Sequence, residues 1–124
     1  MAARNQVYKC ERCGNIVAVT DVGGGTLSCC GQPMTLLVEN TQDAAVEKHV
    51  PFIVSADGEL VVRVGEVAHP MVAEHYISWI EVVFENGANR KYLTPGGEPE
   101  ARFCLPSGPY TVRAYCNLHG LWKK

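Results

Sequence analysis

Residues 76–94, with the sequence YISWIEVVFENGANRKYLT, decide the fold class of this chain of 124 residues. Tyr76 to Phe84 is the longest run of β-branched and aromatic residues, which are the residue types enriched in strands. The turn signal Glu85-Asn86-Gly87 follows it, and Arg90 to Thr94 forms a returning run. The stretch therefore predicts an antiparallel β-hairpin.

Similar runs occur on both sides of this hairpin. The segment Ser55-Ala56-Asp57-Gly58 contains Asp-Gly, a hairpin turn signal, and Ser107-Gly108-Pro109 is a second turn signal. About seven short strands at regular spacing indicate a β-sandwich. Helical periodicity is weak, and Gln42 to Lys48 has room for one helical turn at most. The runs that these turns separate are 51–54, 60–64, 101–105 and 110–115.

The first third of the chain, to about Met34, is rich in Cys and Gly and has few large apolar residues. A hydrophobic core cannot hold it together. Cys10-x-x-Cys13 and the pair Cys29-Cys30 supply four thiolates, which complete a tetrahedral metal site. Spacing leaves the metal open, since iron would make this domain an electron-transfer module and zinc would make it structural. The remaining unmatched cysteine, Cys104, is interpreted as a small buried apolar residue.

Composition excludes several classes of function. The net charge of -2 argues against a surface that neutralises many phosphates, so nucleic-acid binding is not expected. No apolar stretch approaches the ~20 residues of a membrane-spanning helix. The N-terminal residues lack the apolar core of a secretory signal, so the cytoplasm is the expected location. Six cysteines in a reducing compartment favour metal binding over disulfides.

A second metal site is predicted in the β-rich part. All four histidines lie there beside loop signals, and Cys116-x-x-His119 places a thiolate and an imidazole on one short turn. Up to four imidazoles and one thiolate exceed the four ligands of structural zinc and leave one octahedral position open. This donor set indicates redox-active iron that binds small oxygen species. The predicted ligands are His49, His69, His75, Cys116 and His119.

The chain resembles desulfoferrodoxin, the two-iron class of superoxide reductase, over essentially its whole length. No ligand position of the family is substituted. The motifs that carry the resemblance are Cys10-x-x-Cys13 with Cys29-Cys30, Glu47-Lys48-His49-Val50-Pro51, Ala68-His69-Pro70-Met71, Glu74-His75-Tyr76-Ile77-x-Trp79-Ile80-Glu81 and Tyr115-Cys116-Asn117-Leu118-His119-Gly120-Leu121-Trp122.

The resemblance implies a rubredoxin-like Fe(Cys)₄ domain over residues 1–36 and an immunoglobulin-like antiparallel β-sandwich over residues 37–124. In the sandwich, four equatorial imidazoles and the axial Cys116 thiolate would hold the catalytic iron. Superoxide would be reduced to hydrogen peroxide there without formation of dioxygen. The resemblance also implies a homodimer that accepts electrons from rubredoxin or a similar carrier. The side of the Tyr76 to Phe84 strand that is exposed is the expected interface.

Two charged residues next to His49 have predicted roles in this reaction. Lys48 is the cation expected to raise the local concentration of the anionic substrate and to stabilise developing peroxide charge. Glu47 would repel the substrate, so the resemblance assigns it to the oxidised resting state as the sixth iron ligand. Trp79 and Trp122 are interpreted as packing residues.

Two other classes of function stay open on the residues alone. One is a zinc-ribbon binding module on a β-sandwich, and the other is a sensor or electron carrier that uses the same iron sites without turnover. Metal identity tests the first, and a rate measurement tests the second.

Overall fold

The structure is a computed structural model that describes residues 3–41, 49–65 and 69–124, with only the backbone described at Ser55 and Ala56. The chain divides into two compact units, Met1–Val38 and Glu39–Lys124. All regular structure in the described ranges is β-structure, as predicted, and these ranges contain no helix that could cross a membrane. The segment Gln42 to Lys48, which has room for one helical turn at most, lies outside the described residues.

The first unit contains five very short strands. They form a three-stranded sheet in the order β2-β1-β5 and a two-stranded hairpin of β3 and β4. Among the described residues of this unit, only Val7 and Cys10 are buried. So little apolar burial agrees with the prediction that a hydrophobic core does not hold this unit together. The strands are β1 (Val7–Lys9), β2 (Ile16–Ala18), β3 (Ser28–Cys29), β4 (Gln32–Pro33) and β5 (Thr35–Leu36).

The second unit is a β-sandwich of two antiparallel sheets. One sheet has three strands in the order β10-β7-β6, and the other has four in the order β12-β11-β8-β9. The fold class predicted from the sequence is therefore confirmed. The strands are β6 (Pro51–Asp57), β7 (Glu59–Val64), β8 (Ile77–Phe84), β9 (Gly87–Tyr92), β10 (Glu100–Cys104), β11 (Tyr110–Cys116) and β12 (Gly120–Lys123).

The core lies between the two sheets because alternate residues of each strand face inward. Leu60, Val62 and Val64 of β7 meet Ile80 and Val82 of β8 there, and all five are fully buried. Inward residues of β10 and β11 complete the core, namely Ala101, Phe103, Val112, Ala114 and Cys116.

A β-bulge interrupts the pairing of β8 with β11 beside Cys116. Tyr115 pairs with Trp79, but Cys116 pairs with Ile77, so Ser78 is the extra residue. Without the bulge, Ile77 would lie on the same face as Trp79. The bulge turns Ile77 into the core together with Cys116, and both are fully buried.

The outer side of β8 is covered within the chain, which differs from the expectation that this side is exposed. Glu81 is 1% exposed because Arg90 and Arg113 both bind its carboxylate. Trp79 stacks on Tyr115, with ring centroids 5.9 Å apart. The face that was expected to be exposed and to form the interface is therefore covered, since a polar network and an aromatic pair occupy it.

The predicted turns are present, but they differ in backbone conformation. Gly58 has φ of +79°, as the Asp-Gly signal at the β6–β7 turn requires. Gly87 instead begins β9 opposite Phe84, and its φ is not in the positive region. A Cβ atom at Gly87 would lie 3.3 Å from the Phe84 ring, so close packing accounts for this glycine.

Candidate metal centres

The first candidate centre consists of the four predicted cysteines of the N-terminal unit, Cys10, Cys13, Cys29 and Cys30, which the structure brings together. Their sulfur atoms all lie within 4.8 Å of one another. The Sγ atoms of Cys13 and Cys29 are 3.6 Å apart, and those of Cys29 and Cys30 are 4.0 Å apart. Four sulfurs at these separations are the donor set of a tetrahedral zinc or iron site.

Two tight turns present these thiols. Cys10 follows β1, and a turn in which Gly14 N–H donates to the Cys10 carbonyl brings Cys13 back towards it. In the β3–β4 hairpin, Cys30 and Gly31 have φ of +52° and +75°. Positive φ at both central residues is the pattern of a type I′ turn. A cysteine in this region is uncommon, and this turn places its thiol beside that of Cys29.

The electrostatics of this cluster favour a bound cation. The backbone N–H of Cys13 approaches the Cys10 sulfur at 3.5 Å and is the main cause that lowers the pKa of Cys10 to about 6. Hydrogen bonds with the thiols of Cys13 and Cys10 raise the pKa of Cys30 to about 12. One thiolate is therefore readily formed, but four adjacent thiolates require positive charge among them.

The second candidate centre lies at one end of the β-sandwich. His49 precedes β6 and His69 follows β7, so both come from the three-stranded sheet. His75 precedes β8, Cys116 ends β11 and His119 precedes β12. Because neighbouring strands are antiparallel, these starts and ends meet at the same end of the sandwich.

The four imidazoles form a closed ring. Neighbouring ring centroids are 4.6 Å apart for His49–His69, 4.7 Å for His69–His75, 5.0 Å for His75–His119 and 4.8 Å for His119–His49. The distance across the ring, from His49 to His75, is longer at 6.3 Å. Neighbouring rings are steeply inclined, with interplanar angles of 65° to 83°. One nitrogen each of His49, His75 and His119 lies within 4.8 Å of the others and of the Cys116 sulfur, and His69 joins this group through its contact with Cys116.

The Cys116 thiol lies against the same ring. Its Sγ is 3.6 Å from Nε2 of His69 and 3.8 Å from Nδ1 of His119. Cys116 is fully buried, whereas His119 is exposed and His75 is half-buried. The cluster thus has a buried thiol on its inner side and access from solvent near His119.

The ring nitrogens that face the cluster are not the same in every histidine. Nδ1 of His69 is 2.7 Å from the Pro70 carbonyl, which leaves Nε2 facing Cys116. His49 presents Nε2 and His119 presents Nδ1, with 3.1 Å between these two atoms. The carbonyl contact orients the His69 ring and selects its tautomer, as outer partners of metal-binding histidines commonly do.

Two residues beside this centre have contacts that their sequence positions did not predict. Trp122 is buried, as its interpretation as a packing residue implies, but it stacks on His49 at 4.7 Å and 17°. Its Nε1 also donates to the His119 carbonyl at 3.1 Å. Asn117, between Cys116 and His119, hydrogen-bonds the backbone on both sides of His75. In the sequence, Asn117 is marked only by its position inside the Cys-x-x-His motif. That position does not show which backbone groups its side-chain amide binds.

The three remaining predicted residues are Glu47, Lys48 and Cys104. Glu47 and Lys48 lie outside the described residues. Cys104 is exposed, so its interpretation as a buried apolar residue is wrong. The cause is the alternation of β10, which turns Phe103 inward and Cys104 outward.

Comparison with known proteins gives matches over both units. The sequence profile of the desulfoferrodoxin family matches residues 41–124, and that of the desulfoferrodoxin N-terminal domain matches residues 2–37. Desulfoferrodoxin of Syntrophotalea carbinolica is 57% identical over 98% of this chain and 97% of its own length.

Two further matches are to proteins named for an activity. The superoxide reductase of Pyrococcus abyssi is 40% identical over 62% of this chain and 84% of its own length. The crystal structure of the superoxide reductase from Treponema pallidum superposes with a TM-score of 0.80 at 30% identity, covering 96% of both chains.

Proposed function

The chain belongs to the desulfoferrodoxin family, and we propose on this basis that it is a superoxide reductase, which converts superoxide to hydrogen peroxide at an iron ion in the β-sandwich. The observation that carries the proposal is the closed ring of four imidazoles against one buried thiol. Superoxide reductases among the similar sequences and structures support the same reaction.

The residues of the cluster fit an iron ion. Five nitrogen and sulfur donors exceed the four that structural zinc takes, and they leave one position of an octahedron for a small ligand. A thiolate at the fully buried Cys116 requires a cation beside it, since an isolated buried charge is costly. When bound, iron supplies the single electron that reduces superoxide. The proposed ligands are His49, His69, His75, Cys116 and His119.

The chain's own residues control access and charge around this ion. The exposed edge of His119 gives a small anion a route to the cluster, while Cys116 is held away from water. Lys48, next to His49, draws superoxide towards the site and offsets the negative charge of the product. Glu47 would supply a carboxylate ligand to the iron between turnovers.

The four cysteines of the N-terminal domain, residues 1–36, would hold a second iron, which would supply one-electron transfer when bound. Cys13 and Cys30 are exposed, which supports delivery of electrons from an external carrier such as rubredoxin. The proposed location is the cytoplasm, a reducing compartment in which cysteines that bind metal persist as thiolates. The proposed assembly is a homodimer. Light scattering of the purified iron protein measures this assembly.

The proposal is tested by a pulse of superoxide given to the anaerobically reduced protein, with absorbance followed at each iron centre. Rapid oxidation of the iron in the β-sandwich is expected. In Lys48→Ala, the oxidation should be slower and less sensitive to ionic strength, because a charge that attracts the substrate is lost. Exposed Lys91 lies on β9, and Lys91→Ala is the matched control. A zinc-loaded protein, or iron that does not react with superoxide, would contradict the proposal.

A further inference from the structure

We propose that Asn117 is a positioning residue that fixes His75 against Cys116 in the iron site of the β-sandwich. The inference rests on the proposed function, because it takes the histidine–cysteine cluster to be that site. Asn117 is not itself a ligand in this account. It acts through the backbone on either side of His75.

The contacts of Asn117 form a clasp around His75. Its Oδ1 accepts a hydrogen bond of 2.8 Å from the backbone N–H of Tyr76. Its Nδ2 donates a bond of 3.0 Å to the carbonyl of Glu74. One side chain thus binds the residue before His75 and the residue after it. The backbone N–H of Asn117 adds a third bond, of 3.2 Å, to the carbonyl of Tyr76.

The chemistry of this clasp requires an amide. A donor and an acceptor must be carried by the same short side chain, because the two backbone groups lie on either side of one residue. Aspartate would keep the acceptor and place a charged oxygen beside the Glu74 carbonyl. Alanine would lose both bonds. Since both polar atoms of Asn117 are used by the backbone, the side chain is occupied in positioning.

The position of Asn117 in the sequence shows which two loops its hydrogen bonds connect. It directly follows Cys116, the buried thiol, and it precedes His119 by two residues. His75 lies shortly before β8, and its backbone forms an isolated β-bridge with Val72. The clasp therefore joins the loop that carries Cys116 and His119 to the loop that carries His75.

Loss of the clasp should weaken iron binding at this site alone. Removing an outer partner of a ligand typically costs about 10–100-fold in metal affinity. We expect Asn117→Ala to lower the Fe(II) affinity of the histidine–cysteine centre by this factor in competition with a chelator. The four-cysteine centre of the same molecule provides an internal control, and its affinity should not change. Exposed Asn89 on β9 gives the matched control, Asn89→Ala.

A double-mutant cycle distinguishes positioning of His75 from a general effect on the loop. If Asn117 acts through His75, the effect of Asn117→Ala on Fe(II) affinity should vanish in a His75→Ala background. It should persist in a His49→Ala background, because His49 lies across the ring from His75, with 6.3 Å between the two ring centroids. Equal effects in both backgrounds would overturn the proposal.

The remaining outcomes are also decisive. If Asn117→Ala does not fold, Asn117→Asp keeps the side chain's size and one of its two bonds, and it should still weaken Fe(II) binding at the histidine–cysteine centre. Unchanged affinity in a folded Asn117 variant would refute the inference while leaving the proposed function intact. Failure of the wild-type histidine–cysteine centre to bind Fe(II) would instead refute the proposed function, and the inference with it.

Discussion

Replacement of Glu81 by glutamine should strongly destabilise the β-sandwich. Glu81 is 1% exposed, and its two carboxylate oxygens bind Arg90 and Arg113. Glutamine has a similar volume but no charge, so the Arg113 guanidinium, whose side chain is 4% exposed, would lose its buried counter-charge. Breaking a buried ion pair in this way costs about 3–5 kcal/mol. We expect about 3 kcal/mol, at the low end, because Glu39 still binds Arg113 at 3.1 Å.

Urea unfolding followed by tryptophan fluorescence measures this cost. Both tryptophans, Trp79 and Trp122, lie in the sandwich, so the signal reports that domain. With a slope of about 1–3 kcal/mol per molar urea, the midpoint should fall by at least about 1 M. Wild type and variant must carry the same amount of iron, since bound metal adds to stability.

Glu59→Gln is the matched control for this prediction. Glu59 binds Arg102 at 3.0 Å, but the two side chains are 54% and 60% exposed. An exposed pair of this kind contributes at most about 1 kcal/mol. If Glu81→Gln shifted the midpoint no more than Glu59→Gln, the reasoning from burial would be wrong.

Three further changes test individual contacts. Cys13→Ser should lower the iron content from two ions per chain to one by metal analysis, and loss of both ions would contradict two independent centres. Trp122→Phe keeps an aromatic ring against His49 but loses the bond to the His119 carbonyl, worth about 1 kcal/mol. Chelator competition should then show iron binding at the histidine–cysteine centre weakened several-fold, and unchanged binding would refute this role. Gly31→Ala places a side chain at φ +75° with no atom within 4 Å of its Cβ, so only backbone strain of about 1–2 kcal/mol is expected. The four-cysteine centre should lose its iron at a lower temperature than in Gly23→Ala, a glycine without positive φ, and equal temperatures would contradict the strain argument.

The strands of the sandwich could be predicted because their signals are local. Alternating apolar residues in β7 and the Asp57-Gly58 turn predict the β6–β7 hairpin, and the structure contains it. The β12 strand was not predicted as a strand, since its four residues are too few to show an alternating pattern, although they pair with the neighbouring strand β11. The outward turn of Cys104 follows from the alternation of β10, but its apolar neighbours in the sequence suggested the opposite.

The cysteines and histidines could also be selected from the sequence, because few residue types bind transition metals and their spacing is distinctive. Their partners could not. The network around Glu81 joins β8, β9 and β11, and the clasp of Asn117 joins residues 41 positions apart in the sequence. Such contacts depend on the register between strands, which a single sequence does not specify. Local patterns thus identify the candidate ligands, and tertiary pairing determines what holds them in place.

The product balance of a single turnover distinguishes reduction of superoxide from its dismutation. The fully reduced protein is mixed with limiting superoxide in the absence of an electron donor, and hydrogen peroxide and dioxygen are both measured. A superoxide reductase should form one peroxide for each superoxide that it consumes and no dioxygen beyond that of uncatalysed decay. Equal amounts of peroxide and dioxygen would show dismutation and would contradict the assignment of the protein as a superoxide reductase.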